Sequence, residues 1–416
     1  MSNPPSTPHP ANQPPPAGPA SRRHPRKKHE LDWLPDQPPP VDLASVAGRF
    51  ALHGQFLEGE PYGSGHINDT FAVRFDQAGA TVRYILQRIN HRVFKDIEGL
   101  MSNISRVTAH AARRVRENNA GPGASRRALT LVPSLDGKTH STDAAGCPWR
   151  CYLFIENART YDIVETPAHA REAARAFGAF QSLVSNLPGA RLAETIPGFH
   201  DTPKRFAAFQ RALAADTHNR ASSARAEIAF ALQNEPIAGV LLDLHKNGEI
   251  PERATHNDTK INNVMLDDTT HEGICVIDLD TVMPGLAPYD FGDMVRTATN
   301  AGAEDERDLS KISMRLPFYE GLVAGYLAAA GAFLTAAERA HLAFSGKLIT
   351  FEIGLRFLTD YLEGDVYFKT RRPAHNLDRC RTQFALVRSI DSQQSAMEAV
   401  DARLSREIAT APETAS

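Results

Sequence analysis

Apolar residues recur at two periods along the chain, and the change of period divides it. Between residues 41 and 90 the period is two. "FAVRF" sets Phe71, Val73 and Phe75 on one face of a strand. "VRYILQRI" follows as another strand, and the glycine-containing turn "EPYGSGHINDT" precedes the pair. Residues 96–119 switch to the helical period, with Ile97, Leu100, Ile104 and Val107 on one stripe. "ALTLVPS" and "WRCYLFIE" read as two further strands, so a small sheet with one helix is complete by residue 156.

Helical runs dominate the remainder. "TPAHAREAARAFGAFQSLVSNL" opens on a Thr-Pro start signal, and "TPKRFAAFQRALAADT" and "SARAEIAFALQN" repeat the period. Two more runs follow, "DLSKISMRLPFYEGLVAGYLAAAG" and "AERAHLAFSGKLITFEIGLRFLTDYLEG". Between the earlier and later helices lie two short apolar strands, "NVMLD" and "ICVIDLD". The turn "DTTHEG" between them predicts a hairpin. The chain has no internal repeat of the solenoid kind.

Residues 1–40 follow neither period. They hold 13 of the 28 prolines and a basic run, "SRRHPRKKHE", which predicts a disordered tail. The remaining residues carry 41 basic and 46 acidic side chains, a balance that calls for neither nucleic acid nor an anionic membrane as partner. No apolar run is long enough to span a bilayer, and the N-terminus lacks the apolar core of a secretory signal. Four cysteines complete no zinc pattern, and Cys275 sits in an apolar strand as an ordinary buried thiol. A reducing, cytoplasmic location is the expectation.

Chemistry concentrates in "THNDTKINNVMLD" and "VIDLD". Transfer of a phosphoryl group to an alcohol needs a carboxylate to orient the hydroxyl and take its proton. It also needs two oxygen donors to hold Mg²⁺ against the β- and γ-phosphates. Asp258 fits the base. Asn263 and Asp278 fit the metal donors, because the hairpin brings them to one end. Lys260, beside the base, can neutralise charge on the transferred group. Asp280 fits either a second metal contact or a turn former at the strand end.

In these residues the chain resembles the protein-kinase-like small-molecule phosphotransferases, the aminoglycoside and choline kinase group. His256, Asp258, Lys260 and Asn263 match the H-x-D-x-K-x-x-N catalytic loop, and Asp278 matches the metal-binding Asp of the second motif. "PYDFGD" resembles the segment whose Asp, here Asp290, supports that loop. Within the group the chain is most similar to the N-acetylhexosamine 1-kinases. "YGSGHINDTF", "LQRIN", "WRCYLFIENARTYDIVE", "ETIPGFHDTPKRF" and "LITFEIGLRFLTDYLEGDVYFK" carry that likeness alongside the two motifs, over roughly residues 58 to 390.

The resemblance implies an α+β, two-lobed protein-kinase-like fold. A small antiparallel-sheet N-lobe (41–156) would cover ATP, and a larger, mostly helical C-lobe (157–400) would carry the catalytic loop and acceptor pocket. Tails would occupy 1–40 and 401–416. His256 would hold the loop without transferring protons. Gly65, His66 and Asn68 would meet phosphate or sugar, and Glu156 with its neighbours would offer backbone groups to adenine. Arg356 and Tyr367 would bind a sugar acceptor. Protein kinases place a Lys on the third strand and a Glu on the next helix. Here Gln87 and Arg88 stand at the strand position, with Arg88 the choice for gripping phosphates, and Glu98 is the helix candidate. The implied activity is ATP- and Mg²⁺-dependent phosphorylation of the anomeric hydroxyl of an N-acetylhexosamine or related hexose. The same fold acting on an aminoglycoside, choline, homoserine or another small alcohol is the alternative, followed by a non-catalytic nucleotide-binding regulator. Oligomeric state has no signal in the sequence.

Overall fold

The structure, a computed structural model, describes residues 41–63, 67–118, 121 and 123–410. The predicted N-terminal tail, Gly65 and His66 lie outside them.

The N-lobe opens with helix α1 (Leu43–Ala47). Strands β1 (Gln55–Pro61), β2 (Asp69–Gln77) and β3 (Ala80–Arg88) form an antiparallel meander. After helix α2 (Ile97–Glu117), β4 (Leu131–Val132), β5 (Ser141–Thr142) and β6 (Pro148–Leu153) complete the sheet, with β6 beside β3. The predicted alternation decides which side chains meet. Val73, Phe75, Tyr84, Leu86 and Trp149 bury one face against Val46 and Ala47 of α1. Ile85 and Gln87 point from the other face into a cleft.

The C-lobe runs from β7 (Ala158–Arg159) through α3 (Pro167–Val184), α4 (Thr202–Ala215), α5 (Arg225–Gln233) and α6 (Val240–Lys246). Four short strands carry the catalytic segments: β8 (Arg253–Thr255), β9 (Val264–Asp267), β10 (Gly273–Val276) and β11 (Met283–Gly285). Helices α7 (Ala287–Ala298), α8 (Leu316–Ala330), α9 (Ala336–Ala340), α10 (Leu342–Leu362) and α11 (His375–Thr410) close the lobe. Its main core centres on Phe177, Phe291, Tyr319 and Tyr326, all fully buried. Each such side chain stabilises the fold by roughly 2–3 kcal/mol on leaving water. Helices α3 and α8 approach closely because Gly325 has no side chain: a Cβ there would lie 2.0 Å from the Arg171 carbonyl oxygen.

The structure departs from the sequence pattern in three places. The run beginning at Asp308 is not one helix. Proline has no N–H to donate, so Pro317 fits only the first turn, and the α-helix starts at Leu316 after a 3₁₀ turn at Leu309–Lys311. The final predicted helix is two, α9 and α10, parted at His341. Helix α11 continues past residue 400, the predicted end of the folded chain. Val400 and Leu404 are buried, and Asp401 accepts a hydrogen bond of 2.6 Å from the Tyr319 hydroxyl. Residues 401–410 therefore belong to a helix and not to a tail.

Candidate active site

The segment Thr255–Asn263 leaves β8 and turns at Asn257, which adopts a left-handed conformation with φ of 65°. Asparagine tolerates that region better than most residues. Two buried carboxylates of α7 hold the turn. Asp290 accepts from the backbone N–H groups of His256 (2.9 Å) and Asn257 (2.7 Å), and from the Gln181 amide. Asp293 accepts from the Thr259 N–H at 2.9 Å and pairs with Arg296 at 2.7 Å. Burial pushes the Asp290 carboxyl up, while these donors oppose the rise. Burial also works against the Asp293 charge, but Arg296 and Lys260 hold its pKa below the usual range. The sequence pattern marks Asp293 and Arg296 only as a cap and an ion pair. The pair forms, but α7 begins at Ala287, so Asp293 lies inside the helix and caps nothing; its carboxylate is instead a second support of the loop.

His256 faces away from solvent, with Phe177 and Phe180 against its ring. Its Nε2 donates to the Ile277 carbonyl at 2.9 Å, and its Nδ1 accepts from the Asp258 N–H at 3.3 Å. Both ring nitrogens are thus used to hold backbone. Asp258 itself stays partly open. Lys260 Nζ lies 3.1 Å from its carboxylate, and that charge raises the lysine pKa against the pull of burial. Thr255 and Met283 face each other across β8 and β11, and Gly285 makes this approach possible. A Cβ at Gly285 would stand 2.2 Å from Thr255 Oγ1.

Strands β9 and β10 pair antiparallel as predicted, and the Ile277 N–H donates to the Asn263 carbonyl at 2.9 Å. That bond sets Asn263 beside the turn at Asp278, where φ is 58°. Asn263 donates its amide to the Asp258 carbonyl at 2.8 Å and to the Asp258 carboxylate at 3.2 Å. Among the described residues its Oδ1 accepts no hydrogen bond and so is free as a donor atom. Burial, then the charges of Asp280 and Asp258, lift the Asp278 carboxyl to about 6. An anionic oxygen and an amide oxygen suit Mg²⁺, which keeps several waters and shares substrate phosphates. Among the described residues no group of three or more His, Cys, Asp or Glu is placed to hold a metal.

The cleft beside these residues has an apolar end and a polar end. Ile85, Tyr152 and Leu153 line it from the N-lobe, and Met265 and Ile277 from the C-lobe. Gln87, Asn263 and Asp278 form the polar end. A flat aromatic base with a charged tail matches that gradient. The side chains of two predicted residues, Arg88 and Glu156, point away from the cleft. Arg88 sits one residue from Gln87 and so points to the opposite face, where it pairs with Asp69 at 2.6 Å. Glu156 turns its carboxylate to Arg83, and its carbonyl accepts from Arg126 at 3.3 Å. Phe154 and Ile155 are the connector residues that line the cleft.

Asn68 and Asp280 meet across the cleft. The Asp280 carboxylate accepts from the Asn68 amide and from Arg150 of β6. Arg150 is fully buried and also donates from Nε to Gln87 at 2.9 Å. Among the described residues its Nη2 has no hydrogen-bond partner. Glu98, the candidate partner on α2, is exposed and lies 3.6 Å from His140. Arg150 was missed because nothing in "WRCYLFIE" separates a buried ion-pair residue from an ordinary polar position on a strand.

Arg356 and Tyr367 line one pocket with Arg205, Thr359, Glu363 and Phe368. Arg356 lies over the Phe199, Phe368 and Tyr367 rings at 5.4–5.8 Å. The carboxylates at helical spacing from Arg356 are engaged elsewhere. Glu352 pairs with His200 at 2.8 Å, and Asp360 accepts from the N–H groups of Val366, Tyr367 and Phe368. His200 Nε2 lies 3.2 Å from the Asn257 carbonyl, so this network reaches the catalytic turn. Burial works against a charged His200, but Glu352 raises its pKa overall. Of "GFHDTPKRF", Asp201 caps α4.

Solved structures that resemble the chain include the following three. An aminoglycoside phosphotransferase from Alicyclobacillus acidocaldarius is 13% identical, with 90% of this chain and 98% of that one covered, at a TM-score of 0.48. A choline kinase from Cryptosporidium parvum is 13% identical, with 83% and 93% covered, at 0.47. A spectinomycin phosphotransferase in complex with ADP and spectinomycin is 13% identical, with 82% and 94% covered, at 0.45. No helix among the described residues is long and apolar enough to cross a membrane. Residues 58–344 match the family described as "Phosphotransferase enzyme family", and the chain, with Thr255–Asn263 and the β9–β10 hairpin within that span, belongs to this family.

Proposed function

We propose that the protein is an ATP- and Mg²⁺-dependent kinase of a small alcohol, and that its acceptor is the anomeric hydroxyl of an N-acetylhexosamine or related hexose. The observation that carries the kinase reading is the convergence of Asp258, Lys260, Asn263 and Asp278 at the polar end of an apolar cleft. In this reading the base of the nucleotide lies between Ile85 and Met265, with Phe154 and Ile155 along its edge. Asn263 Oδ1 and the Asp278 carboxylate would hold Mg²⁺, which would supply positive charge against that of the β- and γ-phosphates. Asp258 accepts the proton of the acceptor hydroxyl while orienting it for in-line attack. Lys260 meets the charge that spreads onto the transferred group. Asp290, Asp293 and His256 fix the loop. An anomeric hydroxyl is more acidic than an ordinary alcohol, which lightens the demand on the base.

The sugar reading rests on the resemblance in sequence and on the Arg356–Tyr367 pocket. A pocket that sets Arg205 and Arg356 beside Asp360 and Glu363 offers both donors and acceptors, which suits a neutral, hydroxyl-rich acceptor. Asp360 and Glu363 line the same pocket, so polycationic aminoglycosides and choline would meet two guanidinium groups as well as two carboxylates and are the less favoured acceptors. The test is ADP release with MgATP over GlcNAc, GalNAc, glucose, galactose, choline, homoserine and kanamycin, with reducing-end assay of each phosphorylated sugar. Turnover on a hexosamine with loss of the reducing end is expected. A product that still reduces, or turnover on choline or kanamycin alone, would remove the 1-kinase assignment and leave the kinase one standing.

A further inference from the structure

We propose that Arg150 is a positioning residue for the nucleotide–metal site, and that with Asp280 it forms the ion pair that latches the two lobes together. The proposal rests on the kinase reading above, because it takes Asp278 as the metal ligand next to the latch.

Arg150 comes from β6 of the N-lobe, and Asp280 from the 3₁₀ turn Leu279–Thr281 of the C-lobe. Both side chains are buried, so neither charge is screened by water. A buried charge needs a partner and further hydrogen bonds to be tolerated. Here Gln87 accepts from Arg150 Nε, and Thr70 in turn accepts from the Gln87 amide at 2.9 Å. On the other side Asn68 donates to Asp280, while its own Oδ1 accepts from the Asn90 N–H at 3.0 Å. Two N-lobe segments, the stretch entering β2 and β6, therefore donate to one C-lobe carboxylate, and the end of β3 supports the second of them through Gln87.

The consequence for the site follows from where Asp280 sits. It is two residues from Asp278, and the left-handed turn between them aims the metal ligand. Each Asp280 oxygen accepts one of these hydrogen bonds, and the Arg150 charge offsets that of the carboxylate. Its contact with Arg150 ties the angle of that turn to the placement of β3 and β6, which roof the cleft. The pair does by another route what a strand Lys and a helix Glu do in protein kinases. Gln87 fills the strand position without charge, and Glu98 is exposed.

The test compares the full chain with R150M, D280N and R150M/D280N, measuring MgADP affinity by calorimetry, its dependence on Mg²⁺ concentration, and thermal melting. Each single variant is expected to bind MgADP at least tenfold more weakly, with a changed Mg²⁺ dependence. The double variant should bind no worse than the worse single one, because the two residues act as one unit. Single variants that melt like the parent and bind within twofold of it would overturn the proposal, as would additive losses. Should R150M fail to fold, hydrogen exchange in the unmodified chain replaces it. MgADP is expected to protect the amides of 67–70 and 278–282 in parallel, and protection of only one segment would overturn the latch. A parent chain that binds no MgADP would instead overturn the kinase reading itself.

Discussion

The two walls of the cleft are held by different means. On the C-lobe side, the catalytic turn is over-determined. Asp290 and Asp293 take three backbone N–H groups within four residues, and His256 spends both ring nitrogens on backbone. These supports lie within a stretch of about forty residues. On the N-lobe side, the polar end is built from Asn68, Gln87 and Arg150, each from a different segment and joined only through cross-strand register. The lesson is that chemistry is written locally where a loop carries it and non-locally where a sheet does. A contiguous motif reveals the first, and only the pairing of strands reveals the second.

The largest expected effect tests the rigid wall at its reacting group. Asp258→Asn should lower turnover by about 10³-fold or more, since general-base removal typically costs 10²–10⁴-fold. MgADP affinity should stay near that of the parent. ADP release and calorimetry on one preparation decide it, and activity within tenfold of the parent would remove Asp258 from its role.

Next comes the scaffold behind that group. Asp290→Ala leaves the His256 and Asn257 N–H groups buried without acceptors, at roughly 1–3 kcal/mol each. We expect a loss of about 3 kcal/mol in urea unfolding and a fall in turnover larger than the fall in MgADP affinity. Equal falls in both would mean the support is shared by the whole cleft and would erase the contrast between the walls.

A smaller effect follows from pH. The Asp278 carboxyl, lifted to about 6, binds its proton more tightly in the folded chain than in the unfolded one. Its contribution to stability therefore declines as pH rises from the ordinary carboxylate range to about 6. Metal binding needs the charged form and gains over the same interval. Below pH 6 the Mg²⁺-dependent part of ADP affinity should fall toward tenfold per unit. Calorimetry between pH 5 and 7.5 tests this, and a flat profile would take Asp278 out of the metal site.

The smallest expected effect sharpens the N-lobe side. Arg88→Ala removes a half-exposed ion pair on the face away from the cleft, worth about 1 kcal/mol at most. MgADP affinity should change by less than about twofold. A tenfold loss would put Arg88 back among the phosphate contacts.

The same contrast sets how much was legible beforehand. The two-lobed α+β order, the hairpin and the sheet alternation all follow from period and turn residues. So does the grouping of Asp258, Asn263 and Asp278, because a single hairpin spans them. Arg88 was misplaced because strand side chains alternate, and an error of one residue exchanges faces. Of Glu156 and its neighbours, Phe154 and Ile155 line the cleft, while the Glu156 side chain turns to Arg83. Arg150 and the loop-supporting part of Asp293 had no local signal, for their partners are distant in sequence. Pro317 could have marked the true start of α8, because its missing N–H restricts where a helix can begin.

The Asp290 carboxylate has a further meaning for synthesis. A nascent chain that ends before Ala287 already holds the whole H-x-D-x-K-x-x-N motif and Asp278. It lacks the two carboxylates to which the backbone N–H groups of His256, Asn257 and Thr259 donate. The residues that would do the chemistry thus leave the ribosome before the helix that gives them their shape.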